Sequence, residues 1–257
     1  MYKIFDTHAH YDDESFDSDR DEILQNLKLN NIYGVLNASV DLKSSEFSVE
    51  LAKKYDNIYS AVGIHPQNIN NLDKNYINNL ENLILNNNKI IAIGEIGLDY
   101  YFDNNNKNSQ KNIFEEQINL SLKHDLPILV HDREAHFDTL EILKKYRPKG
   151  VVHCFSGSLE MAKEIINLNM YLGIGGVLTF KNSKTICEVV KNIPLEYLVF
   201  ETDAPYLAPV PFRGKRCISV YIKYVAEKLS EILNTNINII YDKIYENTLK
   251  LFNIKNI

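Results

Sequence analysis

Gly150-Val151-Val152-His153-Cys154-Phe155-Ser156-Gly157-Ser158 begins as the interior of a buried strand and ends as a polar turn, with a histidine at the changeover. An imidazole placed beside apolar strand residues costs free energy unless something satisfies it. One such histidine needs no special account. The arrangement recurs along the chain, however, at His8, Glu95, His131 and Asp203, each beyond an apolar run.

Working outward from 150–152, eight short apolar segments are strand candidates: 2–5, 33–37, 59–63, 90–94, 127–130, 150–152, 171–174 and 197–200. Many are continuously apolar, which suits a parallel sheet covered on both faces. Helical spacing lies between them. Segment 19–29 sets Ile23, Leu24 and Leu27 on one face, and 113–124 does so with Ile113, Gln117, Leu120 and His124. Segments 134–146, 159–167 and 187–191 supply further crossovers, and 220–233 and 239–251 read as two closing helices. This alternation predicts an α/β fold, a (β/α)8 TIM-like barrel with closing C-terminal helices. A doubly wound open sheet follows from the same alternation. The count of eight and the polar residues at the strand ends favour closure. The chain reads as one domain over 1–257, a length that single α/β barrels commonly reach.

Composition sets the class. The 257 residues are 45% hydrophobic and 24% charged, as in ordinary soluble globular proteins. The net charge of -6 provides no global basic field for nucleic acid, which argues against a non-catalytic DNA-binding module. The three cysteines Cys154, Cys187 and Cys217 form no CxxC pair, so neither a disulfide framework nor a zinc knuckle is indicated. No signal-like N-terminus and no long apolar run are seen. The expectation is a cytoplasmic protein without membrane contact or an obligate protein partner, and a monomer.

The polar residues at strand ends carry the chemistry. In extended chain, residues i and i+2 face the same side, so His8 and His10 both reach one point. Glu95, His131, His153 and Asp203 follow the apolar strands at their C-terminal ends, the face on which barrel active sites are built. Four of the seven histidines and two acids so placed form a donor set for Zn²⁺, Mn²⁺ or Mg²⁺. The six exceed what one tetrahedral ion needs, so two divalent ions sharing a bridging carboxylate are expected. Of the other histidines, His124 reads as a helix-end cap and His136 as structural or exposed. His65 again ends a strand, where contact with substrate or an outer metal shell and plain structural support are equal readings.

The motifs FDTHAH (5–10), GIHP (63–66), IGEIGLDY (93–100), HDREA (131–135), HCFSG (153–157), ETDAPYLAPVPFRGKR (201–216) and ENTLKLF (246–252) together resemble the TatD-type metal-dependent DNases of the amidohydrolase-like barrel superfamily. The resemblance spans almost the whole chain. It implies that His8 and His10 hold one metal with Asp203, that Glu95 bridges to a second held by His131 and His153, and that Asp203 also orients or deprotonates the attacking water. The implied activity is hydrolysis of DNA phosphodiester bonds, with a 3′-5′ exonuclease as the expected form. One departure stands out: Cys217-Ile218-Ser219 follows Arg216 where family members commonly carry Asn-x-Pro. It puts substrate preference, or the region leading to the next helix, in question more than the chemistry.

Substrate contacts are expected from the Pro-stiffened loop 205–216, with Tyr206, Arg213, Lys215 and Arg216 near phosphate, and from Arg133. Tyr100-Tyr101-Phe102 either stacks bases or packs on a neighbouring loop. Cys154 is expected to point away from the site, and Ser158 to cap the next helix. Two rivals stay open: a metal-dependent hydrolase of a small amide, lactone or phosphoester on the same barrel, and a non-enzymatic nucleic-acid binder.

Overall fold

The computed structural model describes residues 2–70, 72–102 and 106–255. Its strands are β1 (Ile4–Ala9), β2 (Ile32–Ala38), β3 (Ile58–Val62), β4 (Ile90–Asp99), β5 (Ile128–Arg133), β6 (Gly150–Val152), β7 (Tyr171–Ile174) and β8 (Leu198–Phe200). They pair in parallel in sequence order. The chain after β8 then returns to β1. Asp203 N–H donates to His8 O at 2.9 Å, His10 N–H to Ala204 O at 2.7 Å, and Thr7 Oγ1 to Phe200 O at 3.0 Å. These bonds close the sheet as a (β/α)8 barrel, as the alternation predicts.

The helices are α1 (Arg20–Gln25), α2 (Leu42–Lys54), α3 (Tyr76–Asn86), α4 (Lys107–His124), α5 (His136–Tyr146), α6 (Leu159–Asn167), α7 (Lys184–Asn192), α8 (Ile222–Leu233) and α9 (Ile237–Leu251). None among the described residues is long and apolar enough to cross a membrane.

Strand periodicity divides the core in two. Phe5, Leu36, Ala61, Ala92, Leu129, Val151, Tyr171 and Val199 form one cluster that draws on every strand, which only the barrel interior permits. Their neighbours Ile128, Val130, Val152, Leu198 and Phe200 pack outward against helical residues such as Phe114, Leu143, Val189 and Leu229. Leu251 and Phe252, at the end of α9, join the inner cluster, with the Phe252 ring 6.2 Å from Phe5. The last helix therefore covers the end of the barrel where the strands begin. The opposite end is left for chemistry.

Three strands run further than their apolar stretches. β1 continues through His8, β4 to Asp99 and β5 to Arg133, so His8, Glu95 and His131 lie within strands and not after them. The ladder persists because backbone pairing ignores side-chain polarity: Gly97 pairs with His131 and Asp99 with Arg133. Gly97, at φ 147, admits this approach, since a Cβ there would lie 2.0 Å from His131 O.

Helix α2 carries too weak an apolar stripe to be read from the sequence, whereas α3 has an apolar face, Tyr76 and Leu80 with Ile77, Leu83 and Ile84 beside them, that the reading of the sequence passed over. The buried face of α2 includes Ser45 and Ser48, whose hydroxyls bond Asp41 O at 2.7 Å and Asn37 O at 3.1 Å. Its start is secured by Asp41, which accepts from Ser44 N at 2.7 Å. Helix α4 begins at Lys107 and not 113, again with polar residues facing inward. Gln117 receives Ile64 N–H at 2.7 Å and donates to Ile64 O at 3.0 Å, and Gln110 clamps Asp99 in the same way at 2.8 and 3.0 Å. These two glutamines fix the chain on either side of the site.

Phe5→Ala is expected to lower unfolding free energy by about 3–5 kcal/mol in denaturant titration, because the inner cluster cannot collapse around the void. Truncating the exposed Leu29 is expected to change it by less than about 0.5 kcal/mol.

Candidate metal centre

The same inward faces that carry Leu129, Val151 and Val199 carry, two residues later, His131, His153 and Glu201. At this end of the barrel the apolar filling gives way to titratable groups. Glu95, only 3% exposed, sits between two pairs of imidazoles. Its Oε2 lies 3.3 Å from His8 Nε2 and 3.6 Å from His10 Nε2, while Oε1 lies 2.7 Å from His131 Nδ1 and 2.8 Å from His153 Nε2. Asp203 Oδ1 approaches His10 Nε2 at 3.4 Å and His8 Nε2 at 3.8 Å. The two facing nitrogens of His8 and His10 are 3.2 Å apart. All six sequence-predicted ligands thus meet in one place.

The seam between β8 and β1 positions half of them. The Asp6 carboxylate, fully buried, accepts from Thr202 Oγ1 and Ser219 Oγ at 2.6 Å each, from Thr202 N at 3.0 Å and from His8 N at 3.3 Å. Burial pushes its pKa up to about 6 against these bonds. Asp203 follows in the left-handed region at φ 62, a conformation aspartate tolerates better than most residues. Ser219 belongs to the segment that departs from Asn-x-Pro. Its amide donates to Tyr11 Oη at 3.0 Å, a bond that proline has no N–H to make. The departure therefore bears on the seam and the start of α8.

Whether these residues suit a metal is decided by their lone pairs. His10 Nδ1–H donates to Ala38 O at 2.9 Å, so Nε2 turns its lone pair inward. His131 Nε2 donates to Asp99 Oδ2 at 3.2 Å, leaving Nδ1 as the inward acceptor. Asp99 is held as a carboxylate by Gln67 Nε2 at 2.7 Å and Phe102 N at 2.9 Å. Outer partners of this kind fix imidazole tautomers for ligation. Inward lone pairs beside two carboxylates repel one another unless a cation lies among them. Without a metal, protons fill that role. Burial opposes a charged His10, but Asp203 and Glu95 prevail and raise its pKa to about 10. Burial likewise opposes His131, and Asp99 and Glu95 raise it to about 9. The surrounding histidines hold Glu95 well below the usual range despite its burial. The mixed N and O donors fit a divalent ion of borderline type.

A cavity of about 670 Å³ opens over this centre, and His65, Arg133 and Tyr206 line it. The Arg133 guanidinium lies 4.0 Å above the exposed Tyr101 ring. Tyr206, on the opposite rim, is anchored by its hydroxyl to Asp13 Oδ2 at 3.1 Å. The basic tip of the 205–216 loop is placed elsewhere. Arg216 pairs with Asp19 at 2.9 and 2.5 Å and covers Phe16, Arg213 stacks 3.8 Å over Phe180, and Lys215 lies near Phe212. None of the three lines the cavity among the described residues. Tyr100 is half-buried with its hydroxyl on Asp138, so of Tyr100, Tyr101 and Phe102 the last two are exposed.

Ser158 caps α6 as expected, accepting from Met161 N at 3.3 Å. His124 ends α4 against Glu81 at 2.6 Å, and His136 opens α5 against Asp132 at 2.7 Å. Cys154 does not turn away but lines the cavity, in the left-handed region at φ 43. The cause is Glu201, which the sequence reading missed and whose Oε1 accepts the Cys154 amide. Burial pushes the Glu201 carboxyl up to about 8. Glycine is required opposite it, because a Cβ on Gly173 would lie 2.1 Å from Oε2. The usable signal was the strand period from Val199. Asp6, Gln67 and Asp99 left no such signal, since their partners are distant in sequence.

Converging imidazoles and carboxylates at the C-terminal mouth of a parallel barrel define a metal-dependent hydrolase. The family model for TatD-related DNases matches residues 5–253, and the chain belongs to that family. It is 39% identical to the metal-dependent hydrolase YabD of Bacillus subtilis over 254 residues, covering 98% of this chain and 99% of YabD. Among solved structures, the TatD homologue YJJV of Escherichia coli superposes with TM-score 0.93 at 29% identity, and a TatD-family hydrolase of Entamoeba histolytica with 0.88 at 26%, each covering 98% of both chains.

Metal binding is expected to expel the protons held on His10 and His131. Affinity should therefore rise with pH up to about 9–10, the values at which these two lose their protons unaided. Calorimetry in buffers of different ionisation enthalpy measures the release. Glu95→Gln is expected to lower metal content and to abolish much of the proton uptake of the metal-free protein.

Proposed function

We propose that the protein is a two-metal deoxyribonuclease that shortens DNA from the 3′ end. The observation that supports this most is the division of Glu95, one oxygen toward His8 and His10 and the other toward His131 and His153. In this reading His8, His10 and Asp203 would hold one divalent ion (Mg²⁺, Mn²⁺ or Zn²⁺), His131 and His153 would hold a second, and Glu95 would serve both. Bound there, two such ions would supply an activated water and would neutralise charge on the attacking and leaving oxygens.

The chain's own groups do the rest. Asp203 is fully ionised at neutral pH, because its contact with His10 outweighs its burial, so its carboxylate is free to orient the attacking water and accept its proton. Arg133 faces the cavity, kept in place by Tyr101, and offers a fork of donors to a phosphate. Beneath the centre, Leu129, Val151 and Val199 exclude bulk water. In this low-dielectric setting each charge contact counts for more than it would at the surface.

The second reading, hydrolysis of a small amide, lactone or phosphoester, is favoured by two features of the rim. Asp12, Asp13 and Asp132 line the cavity, and the Arg213-Gly214-Lys215-Arg216 tip does not. The deciding experiment uses chelator-stripped protein, end-labelled single-stranded DNA and each metal added back in turn. Stepwise shortening that needs metal, and that falls by about 10²–10⁴-fold in Asp203→Asn, is the expected result. A folded, metal-loaded protein that leaves DNA intact while hydrolysing small esters would replace the first reading with the second.

A further inference from the structure

Five histidines face the centre, and His65 is the one whose role the ligand set does not absorb. Its Nε2 lies 3.5 Å from Glu95 Oε1, and its donor atom, with those of Glu95 and His131, falls within 4.8 Å of one another, close enough to read as a metal triad. Its other nitrogen argues otherwise. His65 Nδ1 accepts a hydrogen bond from the backbone amide of Gln67 at 3.2 Å. An amide N–H has no lone pair to offer, so Nδ1 must be unprotonated and the ring's proton must sit on Nε2. His10 and His131 show the reverse: their outer nitrogens face acceptors, Ala38 O and Asp99, and their inward nitrogens keep lone pairs.

The amide that sets this tautomer is itself held. Pro66 opens the short turn Pro66–Asn68, and His65 N–H donates to Val40 O at 2.9 Å. Asn68 returns to the same carbonyl through Nδ2 at 3.2 Å, and Gln117 grips Ile64 on both sides. The Gln67 side chain is committed to Asp99 at 2.7 Å, so its backbone has little freedom to turn. Ligation through Nε2 would require breaking this turn or forming an imidazolate.

We propose that His65 is not a metal ligand but a fixed, neutral hydrogen-bond donor whose Nε2–H meets an anionic oxygen of the substrate. The donor assignment follows from the turn alone. The choice of a phosphoryl oxygen rests on the phosphodiesterase reading above.

The test uses full-length protein loaded with zinc and labelled with ¹⁵N-histidine. Proton-coupled ¹⁵N spectra are expected to show His65 with a proton on Nε2 and a bare Nδ1, and His65→Leu is expected to keep the wild-type zinc content. Binding of inorganic phosphate to that variant should weaken by about 10-fold or more. His65→Gln, whose amide N–H reaches the place of Nε2, should recover most of the loss. A zinc-bound Nε2, or zinc lost from a folded His65→Leu, overturns the donor assignment whatever the substrate is. Unchanged phosphate affinity overturns the phosphoryl contact. If DNA is left intact while the tautomer and zinc content are as stated, the nuclease reading fails and the donor stands.

Discussion

A carboxylate cut off from water must find its hydrogen-bond donors in the protein, and Asp6 finds them on three parts of the chain at once. Thr202 follows the last strand, Ser219 precedes α8, and the His8 amide belongs to the first strand. Leaving any one unmade would expose the full desolvation cost of a buried charge. The bonds that satisfy Asp6 therefore also join the two ends of the sheet. They place His8 and His10 on one side of the seam and Asp203 on the other, within 3.8 Å. Barrel closure and assembly of half the metal centre are the same event.

The centre above the seam is built against the stability of the metal-free chain. Imidazoles and carboxylates are packed where few waters reach, and the inner cluster beneath offers only apolar neighbours. Glu95 stays ionised because several histidines surround it, while Glu201 is driven the other way by burial with fewer cations near it. Two carboxylates within 4 Å of the same histidine, His153, thus hold different charge, because their surroundings differ. A divalent cation resolves the crowding of lone pairs that protons otherwise have to neutralise.

Outer contacts then divide the histidines by task. Carbonyl or carboxylate acceptors behind His10 and His131 turn lone pairs inward, and the amide behind His65 turns a proton inward. Glutamines serve this purpose repeatedly: Gln117 and Gln110 pin the chain beside His65 and Asp99 from α4, and Gln67 steadies Asp99 directly. The inward polar face of α4 is why its apolar period is weak, and it is also what holds Ile64 and Asp99 beside the site.

By itself the sequence determined the alternation of elements, the barrel, and the six groups His8, His10, Glu95, His131, His153 and Asp203. Those follow from local rules: strand period, strand count, and polar residues where apolar runs stop. It missed α2, whose inward face is partly serine, it passed over the apolar face of α3, and it ended β4 and β5 early because backbone pairing continues under polar side chains. Only the tertiary structure decided that Arg216 is taken by Asp19, that Cys154 faces the cavity, and that Glu201, Asp6 and Asp99 support the centre. The physical reason is common to all of these. A hydrogen bond or ion pair is set by which groups meet in space, and the partners here lie tens to hundreds of residues apart, beyond the reach of any local pattern.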